Sequence, residues 1–274
     1  MTSGEYRVEI RSPGKPYSHN KGVNVVANLM LRRGQKITVA LGQKGTETSG
    51  FGGSFLTLET TDGPTPLLIA GGPGGDLVYD SGDEETEFAN GQLSQAGSGN
   101  DIPGSSGIQK YFENHTPNIY SAGAGFVTGP QVKNLDAGCI APGSYAEGLV
   151  GGKTSSNFNP DDVGGFGGGG ASNFSPDSDK IYYGAGGGFT GGAHLQTDDR
   201  LSRTPNGDWM IGGGGGSFSS VSNAVFTHHE EKDGKCKIEL ITTESIEQGE
   251  QLSPSQKVPP KKIDEFDECC YDAW

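Results

Sequence analysis

The chain has 274 residues, of which 48 are glycine and 31% are hydrophobic, and its formal net charge is −14. Such an acidic chain lacks the clusters of Lys and Arg that bind nucleic acid or an anionic membrane, so we expect neither as a partner. No apolar stretch approaches the roughly 20 residues that cross a bilayer, and no apolar signal-peptide segment follows Met1, so we expect no membrane insertion by this chain. The acidity fits a basic protein partner, or it simply keeps a glycine-rich chain soluble.

Three segments within the first 41 residues alternate apolar and polar side chains, which is the period-two pattern of strands with one wet face. Arg33 and Gly34 form a turn signal, so the strands on either side of them are predicted to pair as an antiparallel hairpin. Asp62 and Gly63 predict a turn within a second strand-turn-strand unit. The predicted strands cover residues 6–10, 23–31, 37–41, 54–59 and 67–70.

Three glycine blocks occur later in the chain. An α-helix is a poor prediction for them, because each glycine inside a helix costs about 1 kcal/mol, and the strict period of collagen is absent. The remaining ordered form is a left-handed helix of the polyproline II type, whose backbone groups must bond to neighbouring segments. A flexible linker is the alternative for each block. The blocks are residues 164–170, 184–192 and 212–216, and the candidate scaffold glycines in them are Gly168, Gly188 and Gly214.

The last alternating segment, residues 236–242, is predicted to close the β unit that begins at the N-terminus. We therefore expect one glycine-rich β module over residues 1–243, mainly β with little or no α-helix. From residue 244 to 274 the chain has eight acids against three lysines, and we expect a disordered acidic tail. Within the module, the predicted parts are a β part at about 4–75 and 217–243, an irregular insert at 76–163 and a glycine-helix part at about 164–216.

Several of these segments together resemble the glycine-rich ectodomain of the anaplastic lymphoma kinase and leukocyte tyrosine kinase receptors. The resemblance covers roughly residues 4–243. It is carried by GVNVVANLMLRRGQKITVALGQKG at 22–45, GGSFLTL at 52–58, PLLIAGG at 66–72, and the blocks GGFGGGG at 164–170, GFTGG at 188–192 and GGGGGSF at 212–218.

The resemblance implies an antiparallel β-sandwich of tumour-necrosis-factor-like shape that carries a packed bundle of polyglycine II-type helices. It also implies that the sandwich binds a protein ligand through acidic residues near the last strand, for which Glu230, Glu231 and Asp233 are the candidates. The chain has no His-Arg-Asp or Asp-Phe-Gly kinase signature, so we expect no kinase activity from it, although a longer parent protein could be a receptor kinase.

Other motifs give weak chemical signals. Asn114 and Asn173 begin glycosylation triplets, which matter only on a secretory route. His228 and His229 together with Cys236 match no zinc spacing, and we expect the two histidines to be an exposed loop pair. Gly184 begins a run that lacks the strand and helix of a dinucleotide site. We therefore expect no catalytic residue, no metal and no cofactor. The four cysteines, Cys139, Cys236, Cys269 and Cys270, are too few for a disulfide framework.

These observations predict an extracellular or cell-surface protein-binding module, with a cytoplasmic location still open. The first alternative is a structural glycine-rich protein of a matrix or surface coat. The second is a largely disordered glycine-rich polymer.

Overall fold

The computed structural model describes residues 2–15, 20–46, 48–75, 87–107, 121–130, 139–154, 162–175, 180–196 and 209–243. These residues are mainly β, as predicted, and the helix among them is one short turn at residues 87–89. In chain order the strands are β1 (Gly4–Arg11), β2 (Gly22–Leu31), β3 (Ile37–Ala40), β4 (Ser54–Thr60), β5 (Gly63–Ala70), β6 (Asn173–Ser175), β7 (Lys180–Tyr182), β8 (His194–Gln196), β9 (Trp209–Gly212), β10 (Phe218–Ser219), β11 (Val225–His229) and β12 (Lys235–Thr243).

Two four-stranded antiparallel sheets form the main body. The first has the order β11-β2-β1-β12, and the second has the order β10-β5-β4-β3. The pairing of β12 with β1, with Val8 opposite Ile238, confirms that the last strand closes the sheet begun by the first. The predicted unit of β4, its turn and β5 is also confirmed.

The apolar sides of the two sheets share one core, which gives the body a sandwich-like character. Every second residue of β1 and β2 points into it, because successive side chains of a strand face opposite ways. Fully burying one Val, Leu or Ile stabilises the fold by about 1.5–3 kcal/mol. The buried members are Tyr6, Val8, Ile10, Val23, Val25, Ala27, Leu29 and Leu31 from the first sheet, and Leu56, Leu68 and Ala70 from the second.

The predicted hairpin between the second and third strands is wrong. β2 lies between β11 and β1, so both of its edges are occupied, and β3 pairs with β4 in the other sheet. The turn at Arg33 and Gly34 does exist, and Gly34 has a φ of +89° there. It carries the chain from the first sheet, where β2 lies, to the second sheet, where β3 pairs with β4.

A second cluster lies on the other face of the second sheet. One row across this sheet reads Ala40, Phe55, Ile69 and Phe218 from β3, β4, β5 and β10. Aromatic side chains from elsewhere cover the row, and two of them, Phe166 and Phe189, come from glycine blocks. The rings of Phe189 and Phe218 stack with centroids 4.6 Å apart. Each of the three glycine blocks thus contributes or leads into one phenylalanine that ties it to the sandwich.

The glycine blocks are buried and bond to several other segments through their backbones. Along residues 184–189, successive N–H groups donate in rotation to three neighbours, so every third residue faces the same neighbour. The N···O distances are 2.7–3.3 Å, and the pairs are Gly184 to Thr48, Ala185 to Ser121, Gly186 to Gly213, Gly187 to Phe51, Gly188 to Ala124 and Phe189 to Gly216.

The three candidate scaffold glycines lie where a side chain does not fit. An added Cβ on Gly214 would overlap the carbonyl oxygen of Asn90, and one on Gly188 would overlap that of Gly216. Gly168 has a φ of +83°, which L side chains rarely adopt, and its added Cβ would lie 2.9 Å from the Cβ of Ala124. At these positions the backbone of one segment touches the backbone or Cβ of the next.

The described parts of the insert at 76–163 contain isolated bridges and loops, and they are built into the same network. Gly152 donates to Gly169, and Gly123 donates to Gly192. A third, mixed sheet of order β6-β7-β9-β8 lies between the glycine blocks and was not predicted. The tail at 244–274 lies outside the described residues.

Candidate binding surface at the turn between the last two strands

The turn from β11 to β12 carries the three predicted ligand-binding residues, Glu230, Glu231 and Asp233. All three are exposed. The two strands lie at opposite edges of the first sheet, so the turn crosses the end of that sheet rather than closing a hairpin. The structure therefore brings the three candidates together on one exposed segment, beside the end of β1.

Glu231 anchors this turn to the body. Its carboxylate forms an ion pair with Arg11, whose guanidinium also donates from Nε to Glu9 at 2.7 Å. The N–H of Glu231 donates to Nδ1 of His229 at 3.0 Å, and its carbonyl accepts the N–H of Gly14 at 2.6 Å. These contacts fix the backbone of the turn, so Glu231 serves the structure of the surface.

Glu230 and Asp233 differ from Glu231. Among the described residues, neither carboxylate takes part in an ion pair or a side-chain hydrogen bond. A carboxylate that is hydrated and unpaired loses less on meeting a new cation than one that must first leave a partner. The exposed pair is therefore the part of the turn that is suited to an external contact.

His228 and His229 are predicted to lie in an exposed loop. In the structure they are instead the last two residues of β11. His228 donates from Nε2 to the carbonyl of Gly91 at 2.8 Å. His229 is partly buried, and burial followed by the charge of Arg11 lowers its pKa. Because adjacent side chains on a strand point to opposite faces, the two imidazoles do not converge. Within the described part of the chain, no group of three His, Cys, Asp or Glu side chains is placed to hold a metal ion.

The two cysteines in the described residues, Cys139 and Cys236, are free thiols. Cys236 faces the core from β12, and burial raises its pKa to about 12. A thiol reacts as its thiolate, so the raised pKa lowers the reactivity of this cysteine in the folded chain.

The acidity of the chain lies mostly outside the described residues. These residues include 12 Asp and Glu against 13 Lys and Arg, whereas the whole chain has 34 and 20. Even the candidate turn carries Lys232 between its acids, and Lys235 follows. Taken together, the described residues are thus close to neutral, and the unpaired acids of the candidate turn among them are Glu230 and Asp233.

One groove, which the sequence did not indicate, lies beside β10 and β11. Its volume is about 250 Å³, and its lining has no charged side chain. The hydroxyl of Ser217 accepts the N–H of Gly71 at 2.9 Å, and that of Ser219 donates to Val221 at 2.9 Å, so these two serines serve the fold. The lining residues are Leu93, Ser94, Gln95, Ser217, Ser219, Val221, Ser222, Ala224 and Phe226.

The two glycosylation candidates have different settings. Asn173 is the first residue of β6, an edge strand of the third sheet, and pairs with Tyr182. Asn114 lies outside the described residues.

No protein-family model matches the chain, and no curated protein matches it either. In the part of the chain that the structure describes, no helix has the length and apolar character needed to span a bilayer.

Proposed function

We propose that the chain is a non-enzymatic protein-binding module in which a rigid sandwich-like body presents Glu230 and Asp233 to a basic patch of a protein ligand. The observation that carries the proposal is the contrast within one turn: Glu231 is tied to Arg11, His229 and Gly14, while its two acidic neighbours stay exposed. A fixed backbone presents these two charges at little cost in entropy when a partner binds.

We further propose that residues 184–189 form a left-handed helix with three residues per turn, of the polyglycine II type. The rotation of their hydrogen bonds supports this form, because only a helix with that period returns to the same neighbour at every third residue. The acceptors also advance by three, from Thr48 to Phe51 and from Gly213 to Gly216. Parallel neighbouring helices of the same pitch have this arrangement.

These features support kinship with the glycine-rich ectodomains of the anaplastic lymphoma kinase and leukocyte tyrosine kinase receptors. Two facing antiparallel sheets fit the implied sandwich of tumour-necrosis-factor-like shape, and the buried glycine network fits the implied bundle. With that kinship, we place the module outside the cell or at the cell surface, as part of a receptor or as a relative without a kinase.

The competing function is a structural one, in which glycine segments of many chains form a shared matrix. Such assembly needs exposed bare backbone. The glycines of the blocks at 164–170, 184–192 and 212–216 are buried, and their N–H groups donate within the chain. The network is therefore directed inward, which favours a discrete binding module over a matrix component.

A panel of basic secreted proteins, tested by surface-immobilised binding kinetics at low and high salt, tests the proposal. We expect the variant E230K/D233K to lose about tenfold in association rate for the captured ligand, because charges at an interface mainly set the rate of encounter. The matched control is D62K/D101K, which makes the same change in net charge at two other exposed positions. Equal rates for both variants, or no ligand captured by the wild type, would overturn the proposal.

A further inference from the structure

The last strand, β12, forms the long open edge of the first sheet. It has nine residues, and within the described residues β1 is the sole strand paired with it. The other edge strand, β11, has five residues, and the hydrogen bond from His228 to Gly91 brings the insert against it. An edge strand carries a row of N–H and C=O groups that another strand can pair with. The β12 edge of this sheet is thus longer than the β11 edge, and the β11 edge is the one that the insert contacts.

The apolar side of β12 is incompletely buried. Ile238 and Leu240 are only partly buried against the core. Their partners in β1, Val8 and Tyr6, are 0% and 2% exposed. Among the described residues, the apolar row therefore continues to the edge of the sheet and is only partly covered there. A further strand beside β12 would complete the burial of this row.

The outer side of β12 carries charges in an alternating order. Lys237 and Glu239 form an ion pair at 2.9 Å, and their side chains are 50% and 52% exposed. In the register with β1, Lys237 lies opposite Glu9, and Glu239 lies opposite Arg7. Each of the two charges thus has an opposite charge on its β1 side and solvent on its other side.

We propose that β12 pairs with β12 of a second copy of this chain, antiparallel, about a two-fold axis at Ile238. This register places Lys237 opposite Glu239 of the second copy. The cross-strand row then reads Glu9, Lys237, Glu239 and Arg7, the last two from the second copy, with alternating sign throughout. Opposite charges directly across two strands stabilise the pairing, and like charges oppose it.

The same two-fold axis also brings apolar side chains together on the inner side of β12. Ile238 lies opposite Ile238 of the second copy, and Cys236 lies opposite Leu240 of the second copy. The half-buried apolar row thus becomes continuous from the first sheet of one copy to the first sheet of the other. The β-bulge at Ile241, where the register with β1 shifts between Glu5 and Tyr6, lies outside the central residues 236–240. A bulge interrupts strand pairing locally. The seam is accordingly short, and its register is set by the charge pattern.

Self-pairing of this kind has a specific test by mixing two variants. K237E alone puts Glu opposite Glu at both symmetric positions, and E239K alone puts Lys opposite Lys. In an equimolar mixture, an acid of the K237E chain faces a lysine of the E239K chain at both positions, which restores the two opposite-charge pairs. Each substitution alters contacts inside its own copy equally in the mixture and alone. A difference in dimer affinity between the mixture and the single variants therefore reports contacts between copies.

The measurement is sedimentation velocity of the full chain over a concentration series up to about 100 μM. We expect the wild type to dimerise, each single variant to dissociate at least about tenfold more readily, and the mixture to recover the wild-type affinity within about threefold. The matched control K36E, with its charge reversed beside the other sheet, keeps the wild-type behaviour. A monomeric wild type, unchanged single variants, or a mixture no tighter than its components would each overturn the proposal.

Discussion

Replacement of Gly214 by alanine tests whether the glycine blocks are held at backbone contact. A Cβ at this position would overlap the carbonyl of Asn90, so the block at 212–216 must move away from residues 88–91. That movement breaks the bond from Gly214 to the carbonyl of Phe88, 2.9 Å, and the bond from Ser98 to the carbonyl of Gly214, also 2.9 Å. The added methyl group itself gains almost nothing, because no space exists for it.

The expected loss of stability in G214A follows from these two hydrogen bonds. A buried backbone group left without a partner costs about 1–3 kcal/mol, and two bonds are lost, so we expect G214A to lower the free energy of unfolding by about 2–6 kcal/mol. In a domain of this size, each kcal/mol lowers Tm by about 2–4 °C, which predicts a fall of about 10 °C. The assay is a calorimetric melt, followed by amide exchange at Gly186 and Gly213.

The matched control is G34N. Gly34 has a positive φ that asparagine tolerates, and nothing lies within 4 Å of its added Cβ, so we expect a change of less than about 1 kcal/mol. If G214A melts as G34N does, the segments are not in contact and the reasoning from bare backbone fails.

Three further outcomes are expected. Complete burial lowers the pKa of His194 to about 4, and in the folded chain its Nε2 donates to the carbonyl of Tyr183 at 2.9 Å. The imidazole of the unfolded chain takes up a proton at a higher pH than the buried imidazole of the folded chain, so the free energy of unfolding falls by up to about 3 kcal/mol as the pH drops from 6.5 to 4. We expect the melting temperature of H194Q to depend less on pH across that window. A double-mutant cycle of F189A and F218A should give a coupling of about 0.5–1.5 kcal/mol in denaturant melts; additive losses would contradict the stacked contact. Mass spectrometry of thiol labelling at pH 8 should find Cys236 unmodified until the chain unfolds, and rapid labelling of the native chain would contradict its burial.

Much of the sandwich was predictable from the alternation of side chains. The predicted strands at 6–10 and 23–31 are correct because one face of each lies on the core and the other is more exposed, which gives a clear period of two. The predicted strand at 54–59 is also correct, although residues 54–57 are buried on both faces of the sheet. That β2 and β3 lie in different sheets was not predictable. A turn signal indicates only that the chain reverses direction. Whether the next strand pairs with the preceding one or joins the opposite sheet depends on which other strands pair with the same edge, and both edges of β2 pair with β11 and β1.

The third sheet and β11 were not predicted from the sequence, for a different reason. β6 and β8 have three residues each, too few to display a period. In β11, the histidines end a strand whose apolar residues are few, so the sequence favours a loop there. The three candidate acids lie on one exposed turn, but the separate contacts of Glu231 depend on Arg11, which is distant in sequence and is brought close by the pairing of β1 with β12.

The rotation of hydrogen bonds along residues 184–189 has a consequence for how the chain folds. Its neighbours come from positions near 50, 122 and 214, so this central segment cannot become ordered until most of the chain has been synthesised and brought together. Loops of that length close slowly, and the cost is incurred before any bond is gained. We therefore expect late, all-or-none assembly of the interior, and a chain shortened at either end of the module would lose the whole network rather than one part of it.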